Sequence, residues 1–494
     1  MALHEDYRAV IHLGVGFTFL FAALMPAQNL LSTDFKAAGY WGGAACYLAV
    51  VVGNLFANRV CSYWGAKRAI GFGSIPYVVL MTLMLIAVRT RPSQAVVAVL
   101  VVGGWILCGF GGAFLWNAQG RMCAVCAEGY DAAERSQSSS SFGYFNGIAV
   151  GAVQVASVVA NAALAALSGA HVVDQGKHAT TLFAIFVGLA AVGCAILLLL
   201  PDVERRRGLR GGEDGSGAPP APPPPPCTAF FRFLMRTKLA QLLLPLFIAN
   251  GFNEAYMWSS FTADAVTPAL GKEAIFKVMG INAAVDALAC VAIGRVADRF
   301  SLRGYTALFA VAAALNLVPA IYFVVNHEGS AIGAGAVYMA RRRLRCLHSR
   351  RMLSRDSHLH FAAFIVQGAV ILGICDGTYN TLTPALIGII WPAERSSDAG
   401  GSSAQYSALT TYNFWKSGTT SLMFLLGPYI SFGLRSGIVA ATACAALAVV
   451  PALLRQLLQQ AETRKQQGGD GAYAEIAGVE EEDATERDDI LACK

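Results

Sequence analysis

The chain has 494 residues, of which 55% are apolar and only 14% charged, with a mean hydropathy of +0.52. That composition excludes an ordinary soluble protein and points to an integral membrane protein with lipid around it. A net charge of +6, carried at segment ends without aromatic interleaving, excludes a nucleic-acid-binding surface.

The opening residues MALHEDYRAV contain acids and lead into an apolar segment without a small-residue cleavage site, which reads as a retained first helix. Apolar runs lie at 10–31, 40–57, 69–88, 95–118, 142–168 and 180–200. Each is about long enough to cross a hydrocarbon core of roughly 30 Å. Between the second and third runs is a basic corner, Asn58-Arg59-Val-Cys-Ser62-Tyr-Trp-Gly65-Ala-Lys67-Arg68. The fourth run closes on the glycine-rich stretch Gly109 to Gly120. Lacking any βαβ context, those glycines predict close helix contact and not nucleotide binding, with Trp116, Asn117 and Gln119 near the cytoplasmic interface. Cys123 and Cys126 form a lone C-x-x-C in the loop that follows. Without a second pair at ligand spacing they predict no metal, and no cofactor is expected elsewhere. In the fifth run Gly143, Gly147 and Gly151 recur every four residues and predict a flat stripe packed against a neighbouring helix. Cys46, Cys108, Cys194, Cys290, Cys375 and Cys444 lie within apolar runs, where cysteine behaves as a small hydrophobe.

These six runs make a first bundle, 1–200. The segment 201–238, with arginines at 205–207 and a proline run near Pro219 to Pro226, predicts an extended, solvated cytoplasmic linker. Six further runs, at 239–261, 275–297, 304–325, 361–391, 405–432 and 435–458, make a second bundle, 239–458. Glu254 lies deep in the seventh run and Asp286 in the eighth. Asp376 and Asn380 share one face of the tenth, and Lys416 lies in the eleventh. An ionised group inside a span is costly unless it faces the bundle interior, a cavity or a partner. Asp376 is expected to pair with Lys416 across the two helices. Two readings fit the whole set: buried groups that lock the bundle, or a proton or cation site at Glu254 or Asp286 in a secondary transporter. The eighth run ends in Gly294-Arg295-Val-Ala-Asp298-Arg299-Phe-Ser301-Leu-Arg303, which repeats the charged corner of the first half as a duplicated unit predicts. In such a corner an acid meets the positive dipole of a neighbouring helix. Arg59, Lys67, Arg68, Arg295, Asp298 and Arg299 are therefore the candidate cytoplasmic gate.

A basic insertion at about 329–360 interrupts the second bundle. It reads either as a disordered loop on the outer face or as a mistranslated stretch, and His348, His358 and His360 within it have no fixed geometry for a metal. The tail, 459–494, is acidic and expected to be disordered. In it Tyr473-Ala-Glu-Ile476 has the pattern of a tyrosine-based sorting signal, and Glu486-Arg-Asp-Asp-Ile490-Leu491 is close to an acidic-dileucine one. Plasma membrane or endosomal and lysosomal membranes are the expected locations. Basic residues outside the insertion favour placing both termini in the cytoplasm. No nucleophile elbow, paired-histidine helix or soluble nucleotide loop is present in the sequence, so no enzymatic activity is expected.

Several of these stretches also carry a family resemblance. Asn250-Gly-Phe-Asn-Glu254-Ala, Phe261-Thr, Val266-Thr-Pro-Ala-Leu-Gly271, Val278-Met279 and Val285-Asp286-Ala-Leu288 resemble the seventh and eighth helices of the Unc-93-like family, the ion-channel regulatory branch of the major facilitator superfamily. Leu115-Trp116 with Gln119-Gly120, Gly373-Ile-Cys-Asp376-Gly-Thr-Tyr-Asn380-Thr381 and Tyr412-Asn-Phe-Trp415-Lys416-Ser417 resemble its fourth, tenth and eleventh helices. The two corners resemble the major facilitator loop motif, with Ser62 where the first copy expects its acid and Ser301 where the second expects its glycine. The resemblance implies an all-α fold of twelve transmembrane helices in two pseudo-symmetric six-helix halves. It further implies a regulator of a potassium channel, or an escort that carries a receptor to endosomes. Proton- or cation-coupled transport of a small solute is the other reading.

Overall fold

The computed structural model describes residues 5–34, 37–90, 93–134, 141–168, 176–206, 229–271, 273–326, 352–391 and 401–466, and its regular structure there is entirely helical. The first half contains α1 (Glu5–Asp34), α2 (Ala37–Thr90), α3 (Gln94–Glu134), α4 (Phe142–Ser168) and α5 (Gly176–Leu198). At 54 residues α2 is long enough for two crossings. It turns back at Gly65, whose φ of 74° favours glycine, so the second and third passes are one helix broken at the basic corner.

The second half begins with the short α6 (Val203–Arg206) and α7 (Ala229–Arg236), so the described ends of the expected linker are helical and not extended. Phe230 and Leu234 of α7 are buried, and the Phe230 ring lies 5.1 Å from that of Phe414. The seventh pass is α8 (Lys238–Ala255), continued by a π-helical stretch Tyr256–Val266 and one last turn, α9 (Thr267–Leu270). Helical backbone thus runs past Phe261, where the apolar run ends, and stops at Gly271, whose φ is +84°. Then come α10 (Ala274–Arg299), α11 (Ser301–Asn326), α12 (Met352–Ile390), α13 (Gly401–Leu426) and α14 (Phe432–Gln466).

Among the described residues, nine helices are long and apolar enough to span a membrane. Since α2 makes two passes, the two remaining of twelve are the seventh pass and α13, both punctuated by polar side chains. Helix pairing repeats between the halves. α1 packs on α4 and α5 as α8 packs on α13 and α14; α2 packs on α3 and α5, as α10 packs on α12 and α11 on α14. The halves meet along α2 with α13 and α4 with α10, two contacts that exchange when the halves are exchanged.

The glycine stripe of α4 forms the second of these seams. A methyl group on Gly147 would sit 2.3 Å from the Cys290 carbonyl oxygen, and one on Gly143 would sit 2.6 Å from that of Gly294. Two local expectations are corrected. Cys123 and Cys126 lie inside α3, buried, because that helix runs on to Glu134. Asn117 and Gln119 are buried in the bundle and not at an interface: Asn117 Nδ2 donates to Asn54 Oδ1 at 2.7 Å, and Thr410 Oγ1 donates to Asn117 Oδ1 at 3.2 Å. The proline run, the insertion up to Arg351 and the sorting-signal residues Tyr473, Ile476, Glu486, Ile490 and Leu491 lie outside the described residues. Residues 352–360 form the first turns of α12, where an irregular loop is expected from the sequence.

Candidate functional site

A cavity of about 100 Å³ lies between the halves. That is room for several waters. The two walls differ in chemistry. Phe21, Tyr47, Tyr77, Trp105 and Trp116 from the first half make an aromatic wall with Gln28, Gln119 and Gln154 set into it. The second half contributes Glu254, Asp376, Asn380, Tyr412 and Lys416.

Lys416 Nζ lies 3.2 Å from Glu254 Oε2 and donates to Asn380 Oδ1 at 2.8 Å. Asn380 Oδ1 also accepts from Asn250 Nδ2 at 3.1 Å and from the Tyr412 hydroxyl at 3.2 Å. Asn250 Nδ2 donates to the Tyr412 hydroxyl at 2.9 Å. The expected pairing of Lys416 with Asp376 is therefore corrected: the lysine reaches the acid of α8. Glu254 stands just before the backbone widens into the π-helical stretch, a deviation that often marks functional sites. Asp376 faces Asp286 instead, their carboxyls within hydrogen-bonding reach of each other and both fully buried.

Both ends of the cavity are crossed by contacts between the halves. At the end carrying the described chain termini, Asp298 of α10 accepts the Gly143 and Tyr144 amides of α4 at 2.9 and 2.8 Å and the Tyr305 hydroxyl at 2.6 Å. The Arg295 guanidinium lies 4.2 Å from the centroid of the Tyr144 ring. Beside the first corner, Glu204 accepts the Ala66 amide at 2.8 Å and pairs with Arg121 at 3.1 Å, while Arg121 Nη1 donates to Gln405 Oε1 on α13. Asn58 Nδ2 donates to Ser407 Oγ at 2.8 Å. At the opposite end Arg435 pairs with Asp264 at 2.8 Å and donates to Ser260 and, across the halves, to the Tyr40 hydroxyl at 3.3 Å.

The sequence profile of the Major Facilitator Superfamily matches residues 11–341. UNC93-like protein 3 of Arabidopsis thaliana is 25% identical over 436 residues, spanning 86% of this chain and 81% of the relative. The chain belongs to the Major Facilitator Superfamily. Protein unc-93 homolog A of Danio rerio is 27% identical over 184 residues, 37% of this chain and 30% of that protein. Among solved structures, the E. coli fucose:proton symporter FucP (N162A) has a TM-score of 0.57 at 14% identity, covering 91% of this chain and 99% of its own. The proton:xylose symporter XylE has a TM-score of 0.58 at 10% identity, with 90% and 94% covered. At such identities these two show the fold alone.

Within this Major Facilitator fold, the candidate gate residues separate. Asp298 and Arg295 reach across the halves, whereas Arg59, Arg68 and Arg299 are exposed and Lys67 is half-buried at the corners. Sequence reasoning missed Arg121, Glu204, Asp264 and Arg435. Arg435, a lone cation at the start of an apolar run, carried a usable signal. Glu204 did not, because it follows the sixth run among the other charges of the linker.

Proposed function

We propose that this Unc-93-like protein is a secondary transporter with both termini in the cytoplasm, binding a small amphipathic solute between its halves. The supporting observation is the buried Glu254–Lys416–Asn380 cluster set opposite an aromatic wall. Such a site offers one ion pair to a polar or zwitterionic head and ring faces to an apolar or sugar-like body. The cluster sits where the seam between the halves can give access from alternating sides. The test is reconstitution into liposomes, with uptake of amino acids, sugars and organic cations measured for wild type, Glu254→Gln and Lys416→Ala. Flux lost in both variants supports the reading; wild type inert toward all three classes counts against it.

A second reading, regulator or escort of a channel or receptor, is favoured by the way Glu254 and Lys416 already pair with each other while contacts tie the halves at both ends. Co-purification of one channel or receptor from mild detergent, with no flux in liposomes, would select it. The plasma membrane or the endosomal and lysosomal membranes suit either reading.

A further inference from the structure

Asp286 on α10 and Asp376 on α12 are each fully buried, and their carboxyls are within hydrogen-bonding reach of each other. Asp286 Oδ1 is contacted by the Cys290 thiol at 3.2 Å and the Asn380 side chain lies beside Asp376, but Asp286 Oδ2 finds no donor within bonding geometry. Asp376 also lines the central cavity, whereas Asp286 stands behind it. Ionised carboxylates only accept hydrogen bonds, so two of them in contact repel and leave their oxygens unsatisfied. One proton removes both problems, converting one acid into a donor toward the other. A metal cation suits the place less well. Among the described residues no group of three or more His, Cys, Asp or Glu side chains is arranged to hold a metal ion, and hard cations take six or more oxygen ligands.

We infer that Asp286 and Asp376 form a carboxyl pair holding one exchangeable proton between α10 and α12, with Asp376 as its opening to the cavity. Loading joins one proton from cavity water to one of the two carboxylates; unloading returns that proton to water and leaves two carboxylates. The titratable groups around the pair are Cys290 on α10, Cys375 on α12, Glu254 on α8, and Lys416 and Tyr412 on α13. On the α4 side, the surface packed against α10 is the glycine stripe. The inference deepens the transport reading, on which any coupling of this proton to a solute rests.

The test is infrared spectroscopy of the purified full chain carrying isotopically labelled aspartate, at neutral pH. A carbonyl band of protonated aspartic acid is expected in wild type and in Glu254→Gln, and its loss is expected in Asp286→Asn and in Asp376→Asn, because the amide supplies the donor and lets the surviving partner ionise. Either Asn variant suffices if the other does not reach the membrane. Absence of the band in wild type, its survival in a folded Asn variant, or its loss on adding sodium at fixed pH overturns the proposal. Wild type that shows the band yet moves no solute in liposomes leaves the pair standing and removes the transport reading.

Discussion

Asp298 caps a helix that belongs to the other half of the molecule: its two oxygens accept the Gly143 and Tyr144 amides at the start of α4. Amides of a helix's first turn lack intrahelical partners, so a carboxylate there satisfies two of them and meets the positive end of the dipole. Charge-assisted hydrogen bonds contribute about 1.5–3 kcal/mol each. Asp298→Asn keeps the shape, loses the charge and can accept at only one oxygen. It is expected to cost about 2–3 kcal/mol at this seam. The measurement is alkylation of the cysteine introduced by Tyr144→Cys, which should react faster when Asp298→Asn is also present; equal rates and equal melting temperatures would mean that the latch contributes nothing.

The first corner has no equivalent acid, and Glu204 supplies one from beyond the sixth pass. Its carboxylate holds the Ala66 amide just after the Gly65 bend and neutralises Arg121, which is 1% exposed. Removing one member of a buried pair leaves the other charge stranded, at a cost of about 3–5 kcal/mol. Arg121→Met and Glu204→Gln are each expected to lower the melting temperature sharply, while the double variant recovers most of the loss. If the two losses simply add, the residues do not act as a pair.

The twelve runs and the positions of the two corners were legible, because hydropathy reports span length directly and Gly65 and Asp298 carry local signals, whereas the joining of the second and third passes into one broken helix was not. Which acid Lys416 meets was not. Helical spacing tells that Asp376 and Asn380 share a face, but the approach of α8 to α13 depends on packing that no single segment encodes. Glu204 was hidden for a similar reason: its amide partner at Ala66 is 138 residues away in sequence. The π-helical stretch was likewise invisible, since Tyr256–Val266 has no residue pattern that separates it from an ordinary α-helix.

The α4 stripe allows a graded test of the seam. A Cβ on Gly147 meets the Cys290 carbonyl oxygen at 2.3 Å, one on Gly151 meets its nearest atom at 3.4 Å, and one on Gly188 meets nothing within 4 Å. Overpacking against backbone costs about 1–3 kcal/mol. Gly147→Ala should therefore reduce thermal stability in detergent, Gly151→Ala should do so slightly, and Gly188→Ala not at all. Equal melting temperatures across the three would mean that α4 and α10 are not held at this distance in the protein.

The ion pair in the cavity makes the sharpest prediction, because the structure replaces the partner expected for Lys416 from the sequence. Lys416 is 3.2 Å from Glu254 and is satisfied on its other side by Asn380, four residues after Asp376 on the same helix. Reversing either charge alone places two like charges together between the helices, with a loss of about 3–5 kcal/mol. Reversing both restores attraction only if the two side chains are true neighbours. Glu254→Lys with Lys416→Glu is expected to recover at least half of the melting temperature and surface expression lost in the single variants. Asp376→Lys with Lys416→Asp is expected to recover none, since Asp376 would leave Asp286 behind as an unmatched buried acid. Recovery in the second combination and not the first would return the lysine to Asp376.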